Sequence, residues 1–110
     1  MFGYGGVGKD HAEAVRLYSH AAAQGHANAQ NNLGCMFGEG LGVAQDYAEA
    51  MRLYSLAAAQ GHAGAQNNLG AMFENGQGVA KDRAEAIRLY RLAAAQGRTD
   101  ATAALKRLSA

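Results

Sequence analysis

Residues 21–34 read AAAQGHANAQNNLG and residues 57–70 read AAAQGHAGAQNNLG, the same fourteen-residue string with one change at an offset of 36. The match extends without a gap from 10–37 to 46–73, with five differences across 28 aligned positions, and a third copy starts at Asp82. The frame shows in Gly42-Val43-x-x-Asp46, Gly78-Val79-x-x-Asp82 and Gly6-Val7-x-x-Asp10. It shows again in Arg-Leu-Tyr at 16–18, 52–54 and 88–90, and in AAAQG at 21–25, 57–61 and 93–97. A single packed core does not require repeated words, whereas a stack of like units does, because each copy must fit an identical neighbour.

Each unit contains two helices. One, helix B, begins at an Asp with Glu three residues on: Asp10/Glu13, Asp46/Glu49 and Asp82/Glu85. That spacing predicts a capping box, with the Asp oxygen accepting from backbone N–H groups and the Glu reaching back, both carboxylates favoured at the positive end of the helix dipole. Ala50, Leu53, Tyr54, Ala57 and Ala58 then recur at helical spacing, and Gly25, Gly61 and Gly97 end these helices. The other, helix A, runs roughly over 27–37 and 63–73, with apolar stripes Ala29/Leu33/Phe37 and Ala65/Leu69/Phe73. The runs GEGLG (38–42) and ENGQG (74–78) are connecting loops. A phosphate-cradling loop would need a preceding strand and a following Lys-Ser/Thr, and neither is present. Helix pairs this short cannot bury both faces alone, so they stack side by side into an all-α solenoid.

The 110 residues suffice for one domain. A net charge of +1, from ten Lys+Arg and nine Asp+Glu, excludes the basic field of a nucleic-acid binder. No apolar run reaches the ~18 residues that would argue for a membrane helix. MFGYGGVGKD has neither the basic nor the apolar region of a signal peptide, which makes the cytoplasm the default location. The single cysteine, Cys35, rules out an internal disulfide framework.

The pattern A-x-A-Q-x-x-L-G-x-M-F-x-x-G-x-G-V-x-x-D-x-A-E-A-x-R-L-Y-x-x-A-A-x-Q-G resembles the Sel-one-like repeat, a relative of the tetratricopeptide repeat, over nearly the whole chain. The resemblance implies a right-handed superhelix of antiparallel helix pairs, period 36, whose concave surface carries protein or peptide partners. It also leaves a periplasmic or secreted parent open. The disulfide-bearing branch of the family is not implied, because its cysteine pairs are missing here. The frame divides the chain into repeats at 10–45, 46–81 and 82–110, with 1–9 as the remnant loop of a truncated repeat. The Gly of Leu-Gly (Gly34, Gly70), which lets helix A press on its helix B, becomes Lys106 in the last copy. The helix over about 99–109 therefore reads as a C-terminal cap, with Lys106 and Arg107 suiting the negative pole of its dipole. At the other end helix B lacks its first partner. Either the array is part of a longer one, or this edge meets another chain in a homodimer through Val15, Tyr18 and Ala22.

Among candidate chemistry, His26 and His62 lie one repeat apart with no recurring carboxylate or cysteine, and His11 and His20 have no counterparts; they read as turn and surface histidines, not metal ligands. Cys35 has no basic neighbour in sequence to lower its pKa and is a free thiol. Arg16, Arg52 and Arg88 pair with the Glu three positions before. The asparagines are the best lead. Asn31-Asn32 and Asn67-Asn68 lie on helix A away from its apolar stripe, against local helix propensity. The resemblance places them in the concave groove, where an amide can pair with both N–H and C=O of a bound backbone; the plainer alternative is that one Asn of each pair bonds within the neighbouring helix layer. Asn28, Cys35, Glu39, Gly64, Ala71 and Asn75 flank them. The expectation is a non-catalytic adaptor binding a protein or peptide segment on helix A, with no cofactor, metal, nucleic acid or membrane. The rivals are a structural array whose near-identical repeats only stack and, last, a hydrolase, for which no acid, base and nucleophile constellation is visible.

Overall fold

The computed structural model describes residues 7–109, with side chains from residue 10 to residue 109. Six helices follow in order: α1 (Val7–Ala23), α2 (Ala27–Glu39), α3 (Tyr47–Ala59), α4 (Ala63–Asn75), α5 (Arg83–Ala95) and α6 (Thr99–Ser109). No strand occurs among the described residues. Helices α1, α3 and α5 are the B helices, and α2, α4 and α6 the A helices. Each packs on the next, most extensively α2 on α3 and α4 on α5. The layers therefore build along one axis, 46 × 27 × 26 Å, with a radius of gyration of 14.6 Å against about 13 Å for a compact domain of roughly 100 residues. The fold is an all-α solenoid. No described helix is long and apolar enough to cross a membrane.

The helix starts form as half of the expected box. Asp46 and Asp82 each accept from the amide three residues on, Glu49 and Glu85, at 3.0 Å. The Glu side chains do not reach back. The amides they would meet already donate to Phe37 and Phe73 carbonyls, Asp46 at 2.8 Å and Asp82 at 2.9 Å. The carboxylates turn instead to Arg52 and Arg88, at 3.0 and 2.9 Å from Nε, where a charged donor gives the stronger bond.

Close approach explains the glycine of each Leu-Gly pair. A Cβ on Gly34 would lie 2.8 Å from the Tyr54 ring, and one on Gly70 3.1 Å from that of Tyr90. The aromatic ring of helix B thus lies on bare backbone of helix A. Around these contacts Ala50, Leu53, Ala57, Ala65, Leu69, Ala86, Leu89 and Ala93 are buried, as the two stripes predict.

Successive layers are also tied by amides. Among the described residues, Gln30 and Gln66, 4% and 5% exposed, are the buried polar side chains. Gln60 Nε2 donates to Gln30 Oε1 at 2.9 Å and to the Gly25 carbonyl at 3.0 Å. One repeat on, Gln96 Nε2 donates to Gln66 Oε1 at 3.0 Å and to the Gly61 carbonyl at 2.8 Å. The Gln of AAAQG is therefore the partner of the Gln in AQNN of the layer before.

The first helix departs from expectation. It is helical from Val7, so Asp10 lies inside its first turn and not at its cap. In later repeats the cap forms where the loop is held by a Phe carbonyl of the preceding helix A; among the described residues nothing plays that part for Asp10. Residues 1–6 of the expected remnant loop lie outside the described residues. Of Val15, Tyr18 and Ala22, expected to be partly exposed at this edge, Val15 and Tyr18 are half-buried and Ala22 is buried. Ala22 is buried in a cluster with Ala29, Leu33 and Leu53, and Val15 and Tyr18 pack against it, because their helical spacing puts all three on the side facing α2. Among the described residues of α1, the large apolar one left in solvent is Leu17, 54% exposed at a position where Leu53 and Leu89 are 2% exposed.

Gly34→Ala should lower stability by about 1–2 kcal/mol through overpacking on Tyr54. Gly38→Ala in the same helix, where a Cβ meets nothing closer than 3.8 Å, should raise it by roughly 0.5–1 kcal/mol; urea unfolding of both variants reads the difference. Gln66→Met keeps length but removes the acceptor for Gln96, and should cost about 1–2 kcal/mol in the same measurement.

Candidate functional site

The helix-A positions that turn away from helix B form a row crossing α2, α4 and α6. Most are linked from one layer to the next. Asn28 Oδ1 accepts from His62 Nε2 at 2.8 Å, while His62 Nδ1 accepts from the Ala65 amide at 3.0 Å. His62 thus carries its proton on Nε2, caps α4 and ties α4 to α2. His26, at the same turn one repeat earlier, makes no cap bond. Asn68 Nδ2 donates to Asn31 Oδ1 at 3.0 Å and approaches Cys35 Sγ at 3.7 Å. Asn67 Nδ2 donates to Asp100 Oδ2 at 3.3 Å.

The asparagine bonds have a direction: the second Asn of one layer donates to the first Asn of the layer before. One repeat on from Asn68 the residue is Ala104, and the buried Oδ1 of Asn67, which would be its acceptor, has no donor among the described residues. Asn32, half-buried, bonds to no described residue. Glu39 and Asn75 are exposed at the helix ends, and Cys35 and Ala71 are half-buried between them. The row therefore divides. Asn31, Asn68 and Asn28 serve stacking, whereas Asn32, Glu39, Asn75 and Ala71 have no bond that holds the layers together.

Beside Asn68 a cavity of about 470 Å³ opens between the layers, lined by Gly38, Glu39, Tyr47, Tyr54 and Ala71 among others. Two cavities on the helix-B side, of about 350 and 460 Å³, are copies of each other: Leu53, Leu56, Arg52 and Phe37 line one, and Leu89, Leu92, Arg88 and Phe73 the other. These belong to the repeat architecture. At the positions of Gly38 and Ala71, which line the cavity beside Asn68, the next repeat carries Glu74 and Arg107. Arg107 forms an ion pair with Glu74, its Nη2 3.2 Å from Oε1, and the Tyr90 hydroxyl donates to Glu74 Oε1 at 2.8 Å. Arg107 lies in the last turn of α6, as expected of a residue serving its dipole, and also ties α6 to α4.

The electrostatics follow this division. Burial pushes the Tyr54 hydroxyl well above the usual phenol range, reinforced by its bond to Cys35 Sγ at 3.3 Å and by the nearby Glu39 carboxylate. Tyr54 therefore stays protonated and donates to the thiol. The Arg107 hydrogen bond holds the Glu74 carboxyl below its ordinary value, burial opposing it and the Tyr90 hydroxyl adding to it. Sequence reading passed over the His62 cap, the Gln77 Nε2 bond to the Tyr47 hydroxyl at 3.4 Å and the Glu74–Arg107 pair. The substitutions Gly38/Glu74 and Ala71/Arg107 were the available signal for the last.

Because the folded value of Glu74 is depressed, its pairing stabilises the chain fully above the unfolded carboxylate value of about 4.3, and that share is lost as pH falls through the lower folded value. Glu74→Gln should remove this share at neutral pH and flatten the acid limb of the stability–pH curve, as measured by thermal unfolding between pH 2 and pH 7, roughly spanning the carboxylate range.

The family model of the Sel1 repeat matches residues 1–26, 27–62 and 63–97. Among solved structures, the chain is similar to a protective antigen present in uropathogenic Escherichia coli strains and displaying an SLR fold, at 36% identity and a TM-score of 0.87 over 89% of this chain and 21% of that one. It is similar too to a Sel1 repeat protein from Oxalobacter formigenes, at 39% identity and a TM-score of 0.80 over 84% of this chain and 37% of that one. It therefore spans a minor part of each of those proteins. No curated protein matches the chain. With three consecutive matches and the helix pairs that answer to them, the chain belongs to the Sel1 repeat family.

Proposed function

We propose that the chain is a non-catalytic protein-interaction scaffold that holds an extended partner segment along the α2–α4–α6 face. Sel1 repeat proteins are commonly scaffolds of this kind. The observation that carries the reading is a pair of amides set in mid-helix against propensity, Asn32 and Asn67, the Oδ1 of Asn67 meeting no donor among the described residues. An amide offers one donor and one acceptor side, which matches a peptide backbone whatever its side chains. The reading as non-catalytic is supported at Cys35. The thiol faces the Tyr54 hydroxyl and the Asn68 amide, neither of which can take its proton and activate it.

A second reading, a structural array with no ligand of its own, is favoured by the bond between Asn31 and Asn68, which uses two of the four paired asparagines for stacking. Asn32→Asp separates the two. It leaves the stacking bonds in place but replaces the amide donors with a carboxylate. On a peptide array the native chain should capture a set of peptides, and Asn32→Asp, with unchanged melting temperature, should bind that set at least about threefold more weakly, the scale of one lost hydrogen bond. Capture of no peptide by the native chain would leave the structural reading standing.

A further inference from the structure

The repeat lets two equivalent volumes be compared position by position. Between the second pair of layers the chain fills the volume itself: Glu74 and Arg107 form an ion pair beside the Tyr90 hydroxyl. Between the first pair the same positions hold Gly38 and Ala71, and the cavity of about 470 Å³ is open. The volume that an ion pair takes up once is thus left open once, with both members of the pair absent.

The walls of the open cavity select the sign of what enters. Its one charged lining residue is Glu39, which takes part in no ion pair among the described residues; the pairs formed use Glu13, Glu49, Glu85, Asp100 and Glu74. The Tyr54 hydroxyl gives its proton to Cys35 Sγ, which leaves its oxygen lone pairs as acceptors. The Tyr47 hydroxyl oxygen already accepts from the amides of Gln45 and Gln77, 3.4 Å from each, so the acceptors left to an entering group are Glu39 and the Tyr54 oxygen. A carboxylate and a hydroxyl oxygen around a half-enclosed space match a planar cation with several N–H donors.

We propose that this cavity receives an arginine side chain of the bound segment, its guanidinium placed as Arg107 is one repeat on, with Glu39 as counter-ion and the Tyr54 hydroxyl oxygen as a further acceptor. The proposal rests on the reading of the α2–α4–α6 face as a protein-binding surface and adds a side-chain preference to it. Asn32 would hold backbone and the cavity would read sequence.

The test is a titration of the full chain with the capped tripeptides acetyl-Ala-Arg-Ala-amide and acetyl-Ala-Gln-Ala-amide, followed by amide NMR. The arginine peptide should give saturable shifts at Gly38, Glu39, Tyr54 and Ala71, and the glutamine peptide none there. Glu39→Gln should weaken the arginine peptide about threefold, the scale of a partly exposed charge pair. The double variant Gly38→Glu/Ala71→Arg closes the cavity with the pair the chain already uses at Glu74 and Arg107; it should fold, because a Cβ at Gly38 meets nothing closer than 3.8 Å, and should lose the shifts. Equal response to both peptides, shifts that survive the double variant, or no saturation up to roughly 10 mM, where even a weak site is largely filled, would each overturn the proposal. The two readings fail separately. Array peptides captured equally by native chain and double variant would refute the arginine cavity and keep the scaffold. Arginine-specific shifts from a chain that captures no array peptide would keep the cavity and refute the extended groove.

Discussion

Two amides in an apolar stack set the geometry on which the other contacts rely. Gln30 and Gln66 are buried where an unpaired amide would cost a few kcal/mol, so each layer is acceptable only if the next supplies Gln60 or Gln96 at the right height. Those same donors hold the Gly25 and Gly61 carbonyls, which are helix-end groups with no intrahelical partner. One side chain thus satisfies a turn and a buried amide together. Hydrophobic burial of alanine and leucine supplies most of the driving force, but it is indifferent to small sliding. The glutamine pair is not.

With that spacing fixed, tyrosine can lie on glycine. Tyr54 and Tyr90 cover the backbone of Gly34 and Gly70 and bring helix B closer to helix A than any side chain would permit. The tyrosine hydroxyls then bond to side chains of helix A, one meeting Cys35 and the other Glu74. The interior of the pair is in this way connected to the face proposed to bind a partner. A change at Gly38 or Ala71 is felt at a hydroxyl whose ring is part of the core.

How much of this could be read in the sequence follows from what repeats. Helix positions, both apolar stripes, the close contact at Gly34 and the Asp46 and Asp82 caps are legible because the same local chemistry recurs in each copy. Asp10 is the exception: its helix starts earlier, at Val7, than the Asp-x-x-Glu spacing indicates. For Val15, Tyr18 and Ala22 spacing identifies a stripe but not how deeply each residue sits in it: Ala22 is buried and the other two are half-buried. The asparagines were read as groove residues from propensity and the family resemblance, with a bond to the neighbouring layer as the alternative; which of them makes that bond, as Asn31 and Asn68 do, depends on the separation between layers, which no single helix encodes. The cavity was legible in principle, because Gly38/Glu74 and Ala71/Arg107 are visible in the alignment of the chain with itself. Their meeting in space was not.

The two sets of residues have different prospects in evolution. Gln30, Gly34, Tyr54 and Gln60 and their counterparts must be copied faithfully whenever a unit is duplicated, or the new layer will not seat. Positions 38, 39 and 71 are under no such obligation: the chain tolerates Gly and Ala in one copy and Glu and Arg in the next on an unchanged scaffold. Duplication can therefore lengthen the array while each new junction acquires its own recess, open or self-filled. Such a family can diversify what it recognises at the junctions without renegotiating its stability.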